Sequence, residues 1–283
     1  MKKLLLILLC LPLLFSTCKK EEDAAPTNTN NNGNSSIYTY VPDDNFEIAL
    51  INLGLDNNLN DTVLTSAIDT ITHLYFDSLS ISDLTGIEDF TALTVLHCTA
   101  NELTSLDMSQ NSALVYLDCD NNVLTSLNIS NNTNLDWLNC NSNQLTSLYL
   151  SQNIALTNLR CFNNQLSSLD ISNNTALIIL YCTRNQLTSL NVSQNTTLIV
   201  LWCPENQIID LNVSQNTMLT TLICGENQLT SLDIRNGNNI NMQLQADGNN
   251  MLYCIDVDDE FWANNLFWTI PSQSFFSEDC GIK

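Results

Sequence analysis

Apolar and polar positions alternate along most of this chain in one short frame that never lengthens into a helical stripe. Leu135-x-x-Leu138-x-Cys140-x-x-Asn143-x-Leu145 is one copy, and the frame returns at a constant interval. Cys98, Cys119, Cys140, Cys161, Cys182, Cys203 and Cys224 lie 21 residues apart. Each period also echoes itself: Leu93, Leu96, Cys98 and Asn101 reappear ten residues later as Leu103, Leu106, Met108 and Asn111. So short a period has no room for a long helix. It predicts a coil with a strand at Leu-x-Cys on one side and an extended or second-strand segment on the other. One coil cannot bury its own leucines, but stacked neighbours bury each other. Each buried Leu contributes about 1.5–3 kcal/mol. The column Asn101, Asn122, Asn143, Asn164, Asn185, Asn206 and Asn227 is expected to point inward, where an amide serves the backbone at the bend as donor and acceptor. Asp there would stack buried charges about 5 Å apart.

The frame is the leucine-rich-repeat signature with Cys in its third apolar slot, and the chain resembles the short bacterial class of that family from residue 71 to about 255. The resemblance implies a mainly β right-handed solenoid with parallel strands. Ile71-x-x-Leu74-x-Phe76 opens an earlier coil without Cys, and Ile81-x-x-Leu84-x-Gly86-Ile87-x-x-Phe90 resembles the internalin variety of repeat. Near the other end the register slips by one residue, so that Leu244, Ala246 and Asn249 take the Leu, Cys and Asn slots. The solenoid is expected over 71–252. A short helical cap is expected within 37–70, opened by Asp44 with Glu47 as in a capping box, with Phe46, Ala49, Leu50 and Leu53 on one face and Gly54 as its stop. A C-terminal cap with Phe261, Trp262, Phe267 and Trp268 is expected over 253–283.

Ahead of the cap, Met1-Lys2-Lys3 precedes an apolar run, Leu4 to Phe15, too short for a permanent membrane span. With Ser16-Thr17-Cys18 it resembles a bacterial lipoprotein signal, removed as 1–17, after which Cys18 carries the lipid, palmitate among its acyl chains. Lys19-Lys20-Glu21-Glu22-Asp23 resembles the export signal of Bacteroidota-type surface lipoproteins. The Asn- and Thr-rich remainder of 18–36 reads as a tether. These resemblances imply an exported protein anchored to the outer membrane and displayed on the cell surface, touching the membrane only through its lipid.

Composition narrows the function. Thirty acidic against eight basic residues, net charge −22, make nucleic acid a poor partner. Among the cysteines, Cys10 leaves with the signal, the seven ladder thiols are expected to be buried and free, and Cys254 and Cys280 are expected to form a disulfide in the terminal cap. His73 and His97, 24 residues apart, have no nucleophile or zinc spacing around them, and no phosphate or dinucleotide fingerprint occurs. The reading is therefore non-enzymatic and without metal or cofactor, and a monomer is expected. Asp256, Asp258, Asp259 and Glu260 offer calcium ligands without a spaced coordination loop. Asp61-Thr62-Val63, Asp69-Thr70-Ile71 and Asp77-Ser78-Leu79 resemble the O-glycosylation sites of Bacteroidota-type exported proteins.

Binding is where the repeats differ from one another. Their second half, Leu-Thr-Ser-Leu-x-Ile-Ser, barely changes, whereas the outward positions beside each Leu-x-Cys vary and carry aromatic residues. Tyr116 and Trp137 form one group beside Asp118, Asp120 and Asp136. Phe162, Tyr181 and Trp202 form another, with Arg160 among them and Arg184 at the adjoining bend. Exposed aromatics and Arg on a rigid sheet are usual interface anchors. The expectation is a surface receptor or adhesin binding a protein through Tyr116, Asp118, Trp137, Arg160, Phe162, Tyr181, Arg184 and Trp202. The alternatives are glycan capture through the same aromatics and a structural spacer without a ligand.

Overall fold

A computed structural model describes residues 37–281. The signal segment, Cys18, the tether and Lys283 lie outside the described residues. The frame of the sequence becomes a solenoid with two walls. On one wall the strands His73–Tyr75, Val95–His97, Tyr116–Asp118, Trp137–Asn139, Asn158–Arg160, Ile179–Tyr181, Val200–Trp202, Thr221–Ile223 and Gln243–Gln245 form a nine-stranded parallel sheet. Every strand is three residues long with its central Leu buried and its flanking residues outward, as strand alternation requires. The pairings match like with like, Leu117 to Leu138 and Leu138 to Leu159. The predicted slip is accommodated by a 3-10 turn, Asn239–Asn241, which brings Leu244 opposite Leu222.

The opposite wall pairs Ser105–Asp107 with Ser126–Asn128, and farther on Asp210–Asn212, Ser231–Asp233, Cys254–Asp256 and Phe275–Ser277 form a second parallel sheet. Leu148, Leu169 and Leu190 hold the same buried places between these two sheets, in segments outside any strand. In the first coil this wall is a 3-10 turn, Ile87–Asp89. Gly86 leads into it at φ +103°, where a Cβ would also sit 2.6 Å from the Tyr40 carbonyl oxygen, so only glycine fits there.

Two asparagine columns fasten the coils. At the bend, Asn143 donates from Nδ2 to the carbonyls of Cys119 (3.0 Å), Cys140 (3.2 Å) and Asn141 (2.9 Å), and its Oδ1 accepts from the Leu124 N–H (2.9 Å). Asn122, Asn164, Asn185, Asn206 and Asn227 repeat the arrangement, and Asn249 keeps its core across the slip. The second column is buried and donates only: Asn153 reaches the carbonyls of Ile129 (3.0 Å) and Asn132 (2.9 Å), while its Oδ1 receives no donor among the described residues. The residue before each bend asparagine, from Ala100 to Glu226, is left-handed, with φ between 49° and 59°. The seven ladder thiols are free and buried, and those of Cys98, Cys119 and Cys140 point to the next coil's carbonyl at 3.4–3.6 Å.

The caps close the two ends differently. The antiparallel pair Tyr38–Tyr40 and Thr62–Leu64 and the helix Asp44–Asn52 between them lay Phe46 against Phe76 and Phe90 of the first coil. The helix is capped by Asp43, one residue before the expected position. Its Oδ1 accepts from the N–H groups of Asn45 and Phe46, and its Oδ2 from Ser82 and Asp83 of the first coil. Burial alone would raise the Asp43 carboxyl; those hydrogen bonds outweigh it and hold it below the ordinary range. Glu47 is no capping-box partner. It is buried and accepts from the N–H groups of Asn60, Asp61 and Thr62. Phe46, Ala49 and Leu50 face the core, whereas Leu53 is exposed. At the far end Cys254 and Cys280 form a disulfide, and Arg235 binds Asp233 (2.8 Å), Asp256 (3.6 Å) and the Glu278 carbonyl (3.1 Å). Trp268 packs on Phe276 and donates to the Met242 carbonyl, but Phe261, Trp262 and Phe267 stay exposed.

Two predictions follow from the ladders. Asn143→Ala strands a buried N–H as well as carbonyls and is expected to cost about 3 kcal/mol, roughly twice the cost of Asn153→Ala, which strands carbonyls alone. Urea unfolding of both variants measures the ranking. Burial raises every ladder thiol, to about 12 at Cys161 and Cys203. A folded pKa above the unfolded value gives stability that is fully present below about pH 8.5 and is lost as pH rises from there toward the folded value. The melting temperature should therefore fall above about pH 8.5, and Cys161→Ala should make that alkaline limb shallower.

Candidate binding face

The register of the long sheet places its outward side chains in columns. Val95, Tyr116, Trp137, Asn158, Ile179 and Val200 stand in the first. Tyr75, His97, Asp118, Asn139, Arg160, Tyr181 and Trp202 stand in the second. A parallel sheet spaces its strands about 4.8 Å apart, close to the distance at which flat rings stack. Rings in neighbouring strands therefore meet face to face. Tyr75 stacks on His97 with centroids 5.0 Å apart, His97 on Tyr116 at 4.8 Å, and Tyr116 on Trp137 at 4.1 Å with only 3° between planes. Tyr181 stacks on Trp202 at 4.5 Å. Between these two groups the Arg160 guanidinium lies 5.4 Å from the Trp137 ring and 5.3 Å from the Tyr181 ring. The result is one continuous row of seven flat groups across seven strands.

The row determines what the face can offer. Each inner ring covers its neighbours, so His97, Tyr116, Trp137, Arg160 and Tyr181 are half-buried although they lie on the outer surface. Tyr75 at one end is 61% exposed and Trp202 at the other 40%. Outward there remain ring edges, with hydroxyls, an indole N–H, imidazole nitrogens and the guanidinium edge. Aromatic pairs contribute about 0.5–1.5 kcal/mol each beyond burial, and a cation over a ring about 0.5–2 kcal/mol, so the row is rigid. Acidic groups flank its first half. Burial, and then the charge of Asp118, push the Tyr116 hydroxyl above its usual range, with Arg160 opposing. Burial and Asp118 likewise raise the Asp120 carboxyl.

Of the residues singled out in the sequence, Tyr116, Trp137, Arg160, Tyr181 and Trp202 come together in the row with Asp118 beside them. Phe162 is half-buried one column aside, its N–H donating to Asn141 Oδ1 at 2.9 Å, and it makes no ring contact with the row. Arg184 stands apart: it is the left-handed residue of its bend and pairs with Glu205 at 2.8 Å. Tyr75 and His97 belong to the row and were not singled out, although their alignment with Asp118 and Arg160 at the Leu-flanking position was readable from the spacing. On the opposite wall the outward positions are mainly Ser, Asp and Asn, with Tyr149 a lone exposed aromatic among the repeats. Of the acidic run in the terminal cap, Asp256 accepts from Cys280, Asp258 from Gly237 and Asp259 from Trp262. Among the described residues no cluster of His, Cys, Asp and Glu is arranged to hold a metal ion, and no helix is long and apolar enough to cross a membrane.

No family model matches the chain. It is 42% identical over 79 residues to internalin J of Listeria monocytogenes, a match spanning 27% of this chain and 8% of that protein. Among solved structures, the functional domain of InlJ from Listeria monocytogenes, which includes a cysteine ladder, superposes with a TM-score of 0.50 at 26% identity, over 85% of this chain and 72% of that one. Internalin C2 from the same organism superposes with a TM-score of 0.61 at 20% identity, over 78% of this chain and 99% of that one. The fold is thus an internalin-like leucine-rich-repeat solenoid with a cysteine ladder.

If Arg160 joins the two aromatic groups, its removal and that of Trp137 should not add. A double-mutant cycle of Arg160→Ala and Trp137→Ala, read by denaturant unfolding, is expected to give a coupling of about 1 kcal/mol. A coupling indistinguishable from zero would mean that the guanidinium is not held by the rings.

Proposed function

We propose that this protein is displayed on the cell surface, held by a lipid on Cys18, and binds a partner protein through the outward face of its long sheet. The observation that carries this reading is the unbroken row from Tyr75 to Trp202. It concentrates aromatic edges and a guanidinium on the wall whose outward residues vary between repeats, and the opposite wall has no counterpart. Rigid aromatics and Arg are the side chains that most often anchor protein interfaces, and here their conformational entropy is already spent.

The same row argues against glycan capture. Sugar rings bind aromatic side chains by lying on their faces, and the inner rings of this row have both faces covered by neighbours. Open faces remain only at its two ends. What the inner rings present is hydrogen-bonding edges, which suit a polypeptide's carbonyls, amides and side chains.

The test sets immobilised full-length protein beside its Tyr181→Ala/Trp202→Ala variant, against purified surface proteins and a glycan array. A protein ligand retained by the first and weakened about 100-fold or more in the second is expected from the loss of two anchors. Equal retention by both would remove the face from the account, and glycan binding dependent on Trp202 would favour the carbohydrate reading.

A further inference from the structure

The second column of the face has an order of its own: Tyr75, His97, Asp118, Asn139, Arg160, Tyr181, Trp202. A carboxylate and a guanidinium stand on either side of a neutral amide, with two aromatic rings beyond each. Only the strand Trp137–Asn139 separates the two charges, so they are two strand spacings, about 10 Å, apart. The two side chains form no salt bridge with each other.

Neither charge has an oppositely charged partner among the described residues. Three basic residues fall within 37–281. Arg184 pairs with Glu205, and Arg235 with Asp233 and Asp256. Arg160, in a chain with 30 acidic residues, forms no salt bridge among the described residues. Its Nε donates to Asn158 Oδ1 at 3.3 Å, and its Nη groups have no acceptor among the described residues. The Trp137 and Tyr181 rings flank the guanidinium on either side, and its Nη groups are left to take a carboxylate with two parallel hydrogen bonds. Asp118 accepts one backbone N–H, from Asp120 at 3.2 Å, and forms no salt bridge among the described residues. Asp77 and Asp120 add negative charge on the same side, and both Asp77 and Asp118 act on Tyr116.

We propose that this column is a docking strip for an extended polypeptide segment of a partner protein, with a basic residue opposite Asp118 and a carboxylate opposite Arg160. A segment in the polyproline II form rises about 3.1 Å per residue and returns a side chain to the same face every third residue, so the two charged residues would lie three apart. The inference rests on the reading of the face as protein-binding and adds the chemistry of the partner. A segment carrying both charges is neutral over the strip and approaches without a net electrostatic penalty. An isolated anion does not, because the net charge of −22 repels it before it reaches Arg160. An acidic polysaccharide would satisfy Arg160 and leave Asp118 facing further negative charge.

A random peptide-display library selected on immobilised full-length protein tests the strip. The protein is expected to enrich peptides that carry Lys or Arg about three residues from Asp or Glu. Those peptides should bind Arg160→Glu and Asp118→Lys each about ten-fold or more weakly, since each change sets like charges together. They should bind the double swap Asp118→Lys/Arg160→Glu again, because an extended segment can lie in the opposite direction. Circular dichroism checks that these outward-facing variants stay folded. Enriched peptides that need Tyr181 and Trp202 but carry no such pair, or that bind Arg160→Glu unchanged, overturn the charge pair and leave the protein-binding face standing. No enrichment at all overturns the strip, and if acidic glycans bind in its place, the protein-binding reading falls too.

Discussion

An asparagine amide at every bend holds this structure to its spacing. It spans the bend of its own coil and the coil before it, satisfying one N–H and up to three carbonyls that would otherwise be buried unpaired. No other side chain of that size offers both donors and an acceptor there: Asp lacks the donors and brings charge, and Leu brings neither. The leucines and ladder thiols supply the apolar core, but a hydrophobic contact is not directional and does not set a register. The amides do, and the parallel strands on the neighbouring wall inherit it.

Register then does chemical work on the surface. Because strand spacing matches ring stacking, aromatic residues at equivalent places in successive coils assemble without further instruction. The row crosses from the second column to the first at Tyr116 and Trp137, and returns through Arg160. A guanidinium is flat enough to continue such a stack and always charged, so it brings a permanent charge that ring edges lack. The stack that rigidifies the face also decides what it can recognise: faces are closed, and edges and charges are open.

The solenoid was legible in the sequence because its period is short and repeated seven times through the cysteines, and the buried amides and thiols followed from their constant slots. The ends were less legible. Asp43 and Asp44 are adjacent and both able to cap, and only the first coil, through Ser82 and Asp83, selects Asp43. Glu47 found partners more than a dozen residues away, which no local motif encodes. On the face, the aromatic residues were visible but their unity was not. Phe162 resembles its neighbours in sequence yet stands a column aside. Arg184 lies near the aromatics in sequence, but its left-handed bend turns it to Glu205 of the next coil. Tyr75 precedes the first ladder cysteine and is followed by Phe76, so it lies outside the Leu-x-Cys frame that marks its equivalents.

The account depends on the row existing in solution, and ring-proton NMR shifts measure that directly. Tyr116 lies between His97 and Trp137, where both neighbouring rings shield its protons. The expected result is Tyr116 ring protons well upfield of a free tyrosine, moving downfield in Trp137→Leu while the Tyr181 protons, shielded by Trp202, stay upfield. Tyr116 protons at free-tyrosine positions in the unaltered protein, indifferent to Trp137→Leu, would contradict it: the face would then be a set of separate side chains without a continuous row.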